Sequence, residues 1–377
     1  MRIRSERVYI NEQLVPAVIE IEESIIKAIL PYTSDYDFDY KDAMILPGFI
    51  EIHSHGYAGH NANRITHEGL QVWANSLISE GVTSILATTA TQGYDDNIKT
   101  LKTISDYIKQ PYDHGAQFIG INVEGNFIDH QYRGAQDERH IVVPNVDVFN
   151  DYYAASQGLI KSVICAVEHD VDYAFTKSVS DLNVAVSVGH SNATLAEVKA
   201  AISYGLKGAT HTGNGMRPFH HREPGVFGAS MNQEALYAEV IVDGHHLHFD
   251  TVNIIARLKG KDKLILVTDS SSYKDFEGKE AGYERFIGPD NTIRDASGNL
   301  SGSNLRFNEG VYNAINKAKV EFTTAINAAT INPATYLNIH EHKGLIKPFY
   351  DADIIIVNDK FEVLEMVVAG KKQGQSI

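Results

Sequence analysis

The sequence predicts an α/β fold: a (β/α)8 barrel, with a small β domain assembled from the two ends of the chain. Three observations carry this expectation. The middle of the 377-residue chain alternates short apolar runs with stretches of helical period. Eight such runs occur, and they are nearly continuous in apolar residues, as strands buried on both faces of a parallel sheet require. Both ends of the chain read as short strands without helical periodicity. A hydrophobic content of 43% and a charged content of 21% supply a large core and argue against disorder. One large barrel accommodates a chain of this length.

The elements follow in chain order. Residues 1 to about 45 contain the strand candidates RVYI, LVPAVIEIE and SIIKAIL, then the polar PYTSDYDFDYKDA. The tail from about 345 has the same character, in GLIKPFYDADIIIVND and EVLEMVVAGKK. Residues 1–46 and 345–377 are expected to pair as the small β domain, and 47–344 to form the barrel. The barrel strand candidates are MILPGFIEI, TSILAT, FIGINV, SVICAV, VAVSV, KGAT, YAEVIV and KLILVT. Amphipathic helical patterns lie between most of them, such as THEGLQVWANSLISEG, DDNIKTLKTISDYIKQ and TLAEVKAAISYG.

Composition excludes several partners. The net charge of −15, from 48 acidic and 33 basic residues, repels phosphate backbones and argues against nucleic acid. A small anionic substrate stays open, because local arginines override the global field. The lone cysteine, Cys165, lies in an apolar run, which excludes a disulfide framework and fits a reducing compartment. The N-terminal stretch is charged throughout, and no window approaches the roughly 18 apolar residues of a membrane span. The expected setting is cytoplasmic, with no membrane partner.

In a barrel of this kind the active site gathers at the C-terminal ends of the strands. His53 and His55 follow the first run, at a spacing that puts both imidazoles on one face of an extended chain. Glu124 follows the third run, His190 the fifth and His211 the sixth. Asp243, Gly244, His245 and His246 follow the seventh, and Asp269 the eighth. Six of eight strand ends thus carry a metal-ligand or acid/base residue type, a convergence that chance rarely produces. Histidines and carboxylates without thiolates suit a catalytic divalent cation: zinc first, then iron, cobalt or manganese. Such a cation makes hydroxide available near neutrality, and a carboxylate beside it, here Asp269, takes the water's proton and returns it to a leaving group.

Each residue also has a plainer reading. His53 and His55 are then ordinary loop residues, and His190 a polar residue beside a helix capped by Ser191 or Asn192. Glu124 is a barrel-lining member of an ion pair, Asp269 an N-cap and His246 a core histidine. His60, His67, His114, His130, His140, His169, His340 and His342 have no such placement and are expected at the surface or in structural roles.

The chain resembles the N-acetylglucosamine-6-phosphate deacetylases of the amidohydrolase superfamily along nearly its whole length. The resemblance is carried by PGFIEIHSHG, INVEGNFI, GHSNAT, GATHTGNGM, HHREPGVFGA, VDGHHLH, LVTDSSS, LSGSNL, NPA at 332–334 and GLIKPFYDADIIIVN. It implies a metal-bearing barrel with a small β-sandwich from both termini. The implied reaction removes acetate from an N-acetylated amino-sugar 6-phosphate. Glu124, His190 and His211 match the family's metal ligands, and His53 and His55 look like ligands of a second metal, so one or two ions per subunit are expected. Asp269 matches the catalytic Asp, and His246 the histidine expected to polarise or orient the acetamide carbonyl. Gly134, Ala135 and Gln136 match a sugar-contacting segment, Asn214, Gly215 and Met216 a backbone anion contact, and Arg222 the phosphate-binding arginine. A guanidinium suits phosphate because it is always charged and presents a fork of donors. The plainer reading of Arg222 is an ion pair with Glu223. In the family this arginine can come from a neighbouring subunit, which implies a homodimer.

The departures cluster around the substrate. Gln136 stands where the family usually has His, Asn126 where it usually has Pro, and NGM replaces NAM. The expected function is hydrolysis of N-acetylglucosamine 6-phosphate to glucosamine 6-phosphate and acetate. The galactosamine epimer, and another amidohydrolase acting on an N-acyl or cyclic amide, are the alternatives within hydrolysis. A sugar-phosphate sensor without catalysis is the alternative outside it.

Overall fold

The computed structural model describes residues 1–276 and 285–374. Eight parallel strands form the barrel sheet: Phe49–Ser54, Val82–Thr89, Gln117–Val123, Ile160–Cys165, Ala185–Val188, Leu206–Ala209, Tyr237–Ile241 and Leu264–Val267. Each pairs with its chain neighbour, and a parallel bridge between Ser54 and Ser270 brings the first and last together. All eight runs read from the sequence are strands here. The first run is split, however. Met44–Pro47 joins the sheet of the chain ends, and Phe49–Ser54 enters the barrel. The break falls at Gly48, where a Cβ would sit 2.2 Å from Thr83 Oγ1. Only a residue without a side chain lets the two segments pass so close to the second strand.

Helices follow the strands and cover the barrel. His67–Ser76 starts at Thr66, whose side chain accepts from the Gly69 N–H. Leu195–Ile202 starts at Thr194, in a reciprocal capping box with Glu197. The cap of this helix is therefore Thr194 rather than Ser191 or Asn192, which are held by Glu168 instead. Trp73, Leu101, Phe149, Val179, Val198 and Val252 are buried between helices and sheet. Each such side chain stabilises the fold by roughly 1.5–3 kcal/mol. Inside the barrel, Tyr336 packs against Tyr237 and near Ser162, plugging it away from the strand ends that carry the site.

The two chain ends build the second sheet together. Its order is Lys371–Gln373, Val363–Val368, Ile354–Val357, Met44–Pro47, Arg2–Ile10, Gln13–Glu22, Ile25–Pro31, with Phe38–Asp39 paired to Arg2–Ile10. The N- and C-terminal segments meet where Met44–Pro47 pairs antiparallel with Ile354–Val357 and parallel with Arg2–Ile10. Ile3, Val8, Ile19, Ile45, Ile354 and Ile356 form its own apolar cluster. Cys165 is buried in the fourth barrel strand, and burial pushes its thiol up, so it offers no thiolate. No helix among the described residues is long and apolar enough to cross a membrane.

Candidate metal centre and active site

Four imidazoles converge at the C-terminal ends of the barrel strands, each held by its Nδ1. His53 Nδ1 faces Glu239 Oε2 at 3.1 Å, and His55 Nδ1 faces the Thr88 carbonyl at 3.1 Å. His190 Nδ1 faces the Tyr132 carbonyl at 2.7 Å, and His211 Nδ1 the Asn214 carbonyl at 3.0 Å. A carbonyl or carboxylate oxygen only accepts, so every Nδ1 carries a proton. Each Nε2 is then directed at the site.

The Nε2 atoms surround two carboxylates. His211 and His190 approach Glu124 Oε1 at 3.1 and 3.3 Å, and His53 approaches the same oxygen at 3.4 Å. His55 Nε2 lies 2.9 Å from Glu124 Oε2 and 3.3 Å from Asp269 Oδ1. Glu124, His190 and His211 form one group whose ligand-type atoms all lie within 4.8 Å of one another, and His53, His55 and Asp269 form a second.

A cation fits this donor set. His190 Nε2 and His211 Nε2 are only 3.1 Å apart. With both Nδ1 atoms protonated, neither neutral ring has a proton to give the other. His53 Nε2 is buried with no hydrogen-bond partner. Buried polar atoms are rarely left so, and lone pairs aimed at one point call for a positive charge there.

The same demand sets the proton equilibria. With protons on the Nε2 atoms in place of a cation, burial alone would push Glu124 up, but the charge of His53 and the hydrogen bonds from His190 and His211 outweigh it and hold the carboxyl well below its ordinary range. Burial likewise opposes ionisation of Asp269, and His53 and His55 bring it down to about 2. Burial lowers His55, but its bonds to Asp269 and Glu124 raise it to about 9. The site thus favours ionised carboxylates and added positive charge.

His190, His211 and Asp269 have φ of 46°, 29° and 48°, in the left-handed region. Such conformations cost on the order of 1–3 kcal/mol each and persist where the surroundings impose them. Gly215 permits the close approach here: a Cβ on it would lie 2.8 Å from His190 Nδ1. Gly134 also passes close to the same ring, its Cβ position 3.4 Å from His190 Cε1.

A cavity of about 1020 Å³ opens over the centre. His55, Glu124, His190, His211, Asp269 and His246 line it, as do Ala135, Gln136, Asn214 and Gly215. His246 is held by Asp243, which accepts from its Nδ1 at 2.6 Å and from its backbone N–H at 2.8 Å. Burial would lower His246, but Asp243 outweighs it and raises the ring above its ordinary value. Gln136 lines the cavity, yet its amide is turned to Glu124 and to the Thr91 backbone.

Two proposed contacts do not line the cavity of a single subunit: Met216, which is buried, and Arg222. Arg222 is exposed on a turn, its Nη1 3.0 Å from His221 Nε2. Glu223 does not pair with it. That carboxylate accepts instead from the backbone N–H of Leu195 and Gly225.

Three carboxylates that hold the site in place escaped the sequence reading. Glu239, in the middle of the seventh strand, braces His53 and also accepts from the His211 backbone N–H. Glu51 accepts from the backbone N–H of His53 and of Thr268, and burial raises its carboxyl to about 7. Both stand inside otherwise apolar strands, and an acid there is costly to bury without a task. That cost was the available signal. Glu168 binds Ser191 Oγ and the Asn192 N–H just after His190. Together with Asp129 and His169 it makes a third group of ligand-type side chains. Asp129 accepts from the Gln131 and Tyr132 N–H groups and from His169, so this group braces loops.

Comparisons with known proteins point to one family. The amidohydrolase family matches residues 44–373. An N-acetylglucosamine-6-phosphate deacetylase of Lysinibacillus sphaericus is 34% identical over 88% of this chain and 86% of its own length. An N-acetylgalactosamine-6-phosphate deacetylase of Escherichia coli O157:H7 is 29% identical, over 94% of this chain and 93% of its own. The crystal structure of an N-acetyl-D-glucosamine-6-phosphate deacetylase from Mycobacterium smegmatis superimposes with a TM-score of 0.93, covering 99% of both chains at 24% identity, and supports the fold. A barrel whose strand ends present Glu124, four imidazoles and Asp269, and whose sequence is shared over nearly its full length, belongs to the N-acetylglucosamine-6-phosphate deacetylases of the amidohydrolase family.

Proposed function

We propose that this chain hydrolyses the acetamide of N-acetylglucosamine 6-phosphate, releasing acetate and glucosamine 6-phosphate. The observation that carries the reading is the set of four imidazoles with Nδ1 tied back and Nε2 turned onto Glu124 and Asp269. The likeness to the 34% identical deacetylase supports the substrate. Glu124, His190 and His211 would hold a divalent cation, and His53 and His55 a second, with zinc the first choice for this nitrogen- and oxygen-donor set. Bound there, a cation supplies Lewis acidity, making a water more acidic and polarising a carbonyl oxygen.

The chain's own residues do the rest. Asp269, held ionised, accepts a proton from the attacking water. The water oxygen bonds to the acetamide carbon, the C–N bond breaks, and Asp269 returns the proton to the leaving nitrogen. Asp243 favours the doubly protonated ring of His246, whose Nε2–H then donates to the acetamide oxygen as charge develops on it. Ala135, Asn214 and Gly215 line the space for the sugar. The exposed turn that carries Arg222 also exposes Phe219, and we assign it to a homodimer contact that delivers the arginine to the partner's cavity. A lone buried Cys165 supports a cytoplasmic setting.

The galactosamine epimer is the second reading, favoured by the 29% identical relative. The test is acetate release from N-acetylglucosamine, N-acetylgalactosamine and N-acetylmannosamine, each with and without the 6-phosphate, after reconstitution with zinc, iron, cobalt or manganese. Turnover should be fastest on N-acetylglucosamine 6-phosphate. Faster turnover of the galacto compound transfers the assignment to the epimer. Equal turnover without phosphate removes the amino-sugar phosphate class altogether.

A further inference from the structure

Hydrogen bonds join Asn126 and Gln136 in one clamp. Asn126 has φ of 60°, which proline's ring forbids, so a proline could not take this backbone. Its side chain donates to the carbonyls of Gln92, at 2.9 Å, and His140, at 2.7 Å, and accepts from Asn97 Nδ2 at 2.6 Å. Its backbone N–H reaches Thr91 Oγ1 at 3.2 Å. Gly125 lies flat against Thr91, where a Cβ would come within 2.3 Å of the Thr91 nitrogen. The segment carrying Gln136 is thereby fastened over the loop that follows the second strand.

Gln136 completes the clamp at the metal ligand. Its Oε1 accepts from the Thr91 N–H at 2.7 Å, and its Nε2 donates to Glu124 Oε2 at 2.8 Å. The orientation of the amide is settled by its partners, since a backbone N–H only donates and a carboxylate only accepts. Both amide heavy atoms are thus committed to protein. Glu124 Oε2 is held toward Gln136 and His55, while Oε1 faces His53, His190 and His211. One carboxylate is aimed at both histidine groups at once.

We propose that Gln136 is a positioning residue of the metal centre: it locks the Glu124 carboxylate in the orientation that serves both groups of ligands, and is not a sugar contact. This rests on reading Glu124 as a metal ligand. Partners of this kind, one bond removed from the metal, set ligand orientation and are commonly worth 10–100-fold in affinity.

The test is titration of metal-free protein with Co²⁺ alone, followed by its visible absorption, for wild type, Gln136→Met, Gln136→Ala and Glu124→Gln. Circular dichroism of the metal-free proteins checks that each is folded, and the Met variant keeps the side-chain length should the Ala variant collapse. The two Gln136 variants should bind Co²⁺ about 10–100-fold more weakly with an altered spectrum. On the deacetylation substrate their kcat should fall while KM moves little. Tight binding with an unchanged spectrum in both Gln136 variants overturns the proposal, as does an effect confined to KM, which would make Gln136 a sugar contact. Glu124→Gln separates the two readings. If it loses Co²⁺ while the Gln136 variants do not, only this proposal fails. If it binds Co²⁺ as wild type does, the assignment of Glu124 as a ligand falls, and this proposal with it.

Discussion

Glu239 Oε2 accepts from His53 Nδ1 at 3.1 Å and from the His211 backbone N–H at 3.2 Å. One buried carboxylate on the seventh strand thus sets the ring of one candidate ligand, His53 of the first strand, and the backbone of another, His211 after the sixth. It acts through the histidines and lies behind them. Glu239→Gln keeps the shape and removes the charge that favours a protonated Nδ1. Cation affinity should fall about 10–100-fold, measured by competition with a chromophoric chelator. Unchanged affinity would show that the Thr88, Tyr132 and Asn214 carbonyls suffice to orient the set.

Asp269 is the residue on which turnover should depend most steeply. Asp269→Asn retains size and polarity but has no basic oxygen for the proton. The variant should lose about 10²–10⁴-fold in kcat while its metal content stays near that of wild type. Retained activity would move the proton transfer to another group.

Arg222 lies outside the cavity of its own subunit, which makes its role testable by mixing. Arg222→Ala should raise KM for the 6-phosphate substrate about tenfold or more, the loss expected when a charge-assisted contact worth about 1.5–3 kcal/mol is removed. Subunits carrying Arg222→Ala and subunits carrying Asp269→Asn are each defective. Exchanged into one dimer, they should recover activity, because the second supplies the arginine and the first the carboxylate. No recovery, with exchange verified by light scattering of tagged subunits, would place the phosphate contact within one chain.

Away from the site, Lys259 offers a check on the buried electrostatics. Its Nζ donates to the Gln233 carbonyl at 2.7 Å. Burial, assisted by Lys263, lowers it from 10.5 to about 8. Between those values the unfolded chain binds more protons than the folded one, so this group's contribution to stability rises with pH from about 8 to 10.5 and is at its lowest below 8. Wild type should therefore gain stability relative to Lys259→Met as pH increases through that window, read by urea denaturation. Parallel curves would mean that Lys259 is not perturbed.

Much of the candidate site was legible because its residues are local signals. Glu124, His190, His211 and Asp269 each follow an apolar strand, His53 lies near the end of one, and strand ends of a parallel barrel share one rim. The braces were harder to see. Glu51 and Glu239 lie within strands, where no turn or cap marks them, and their partners come from other strands. Gln136 was visible as a departure, but an amide can point either way until its neighbours are known.

The order of apolar runs and polar strand ends determined the barrel, the β character of the two chain ends and the residue types at the rim, because these depend on periodicities of a few residues. Tertiary structure alone decided which atoms meet. Closure of the sheet brings Ser54 to Ser270, and with them His55 to Asp269. The tied Nδ1 atoms choose which nitrogen each imidazole presents, and the break at Gly48 divides one apolar run between two sheets. Hydrogen bonding is directional and nearly all of these partners are distant in sequence, so no local pattern could have chosen them.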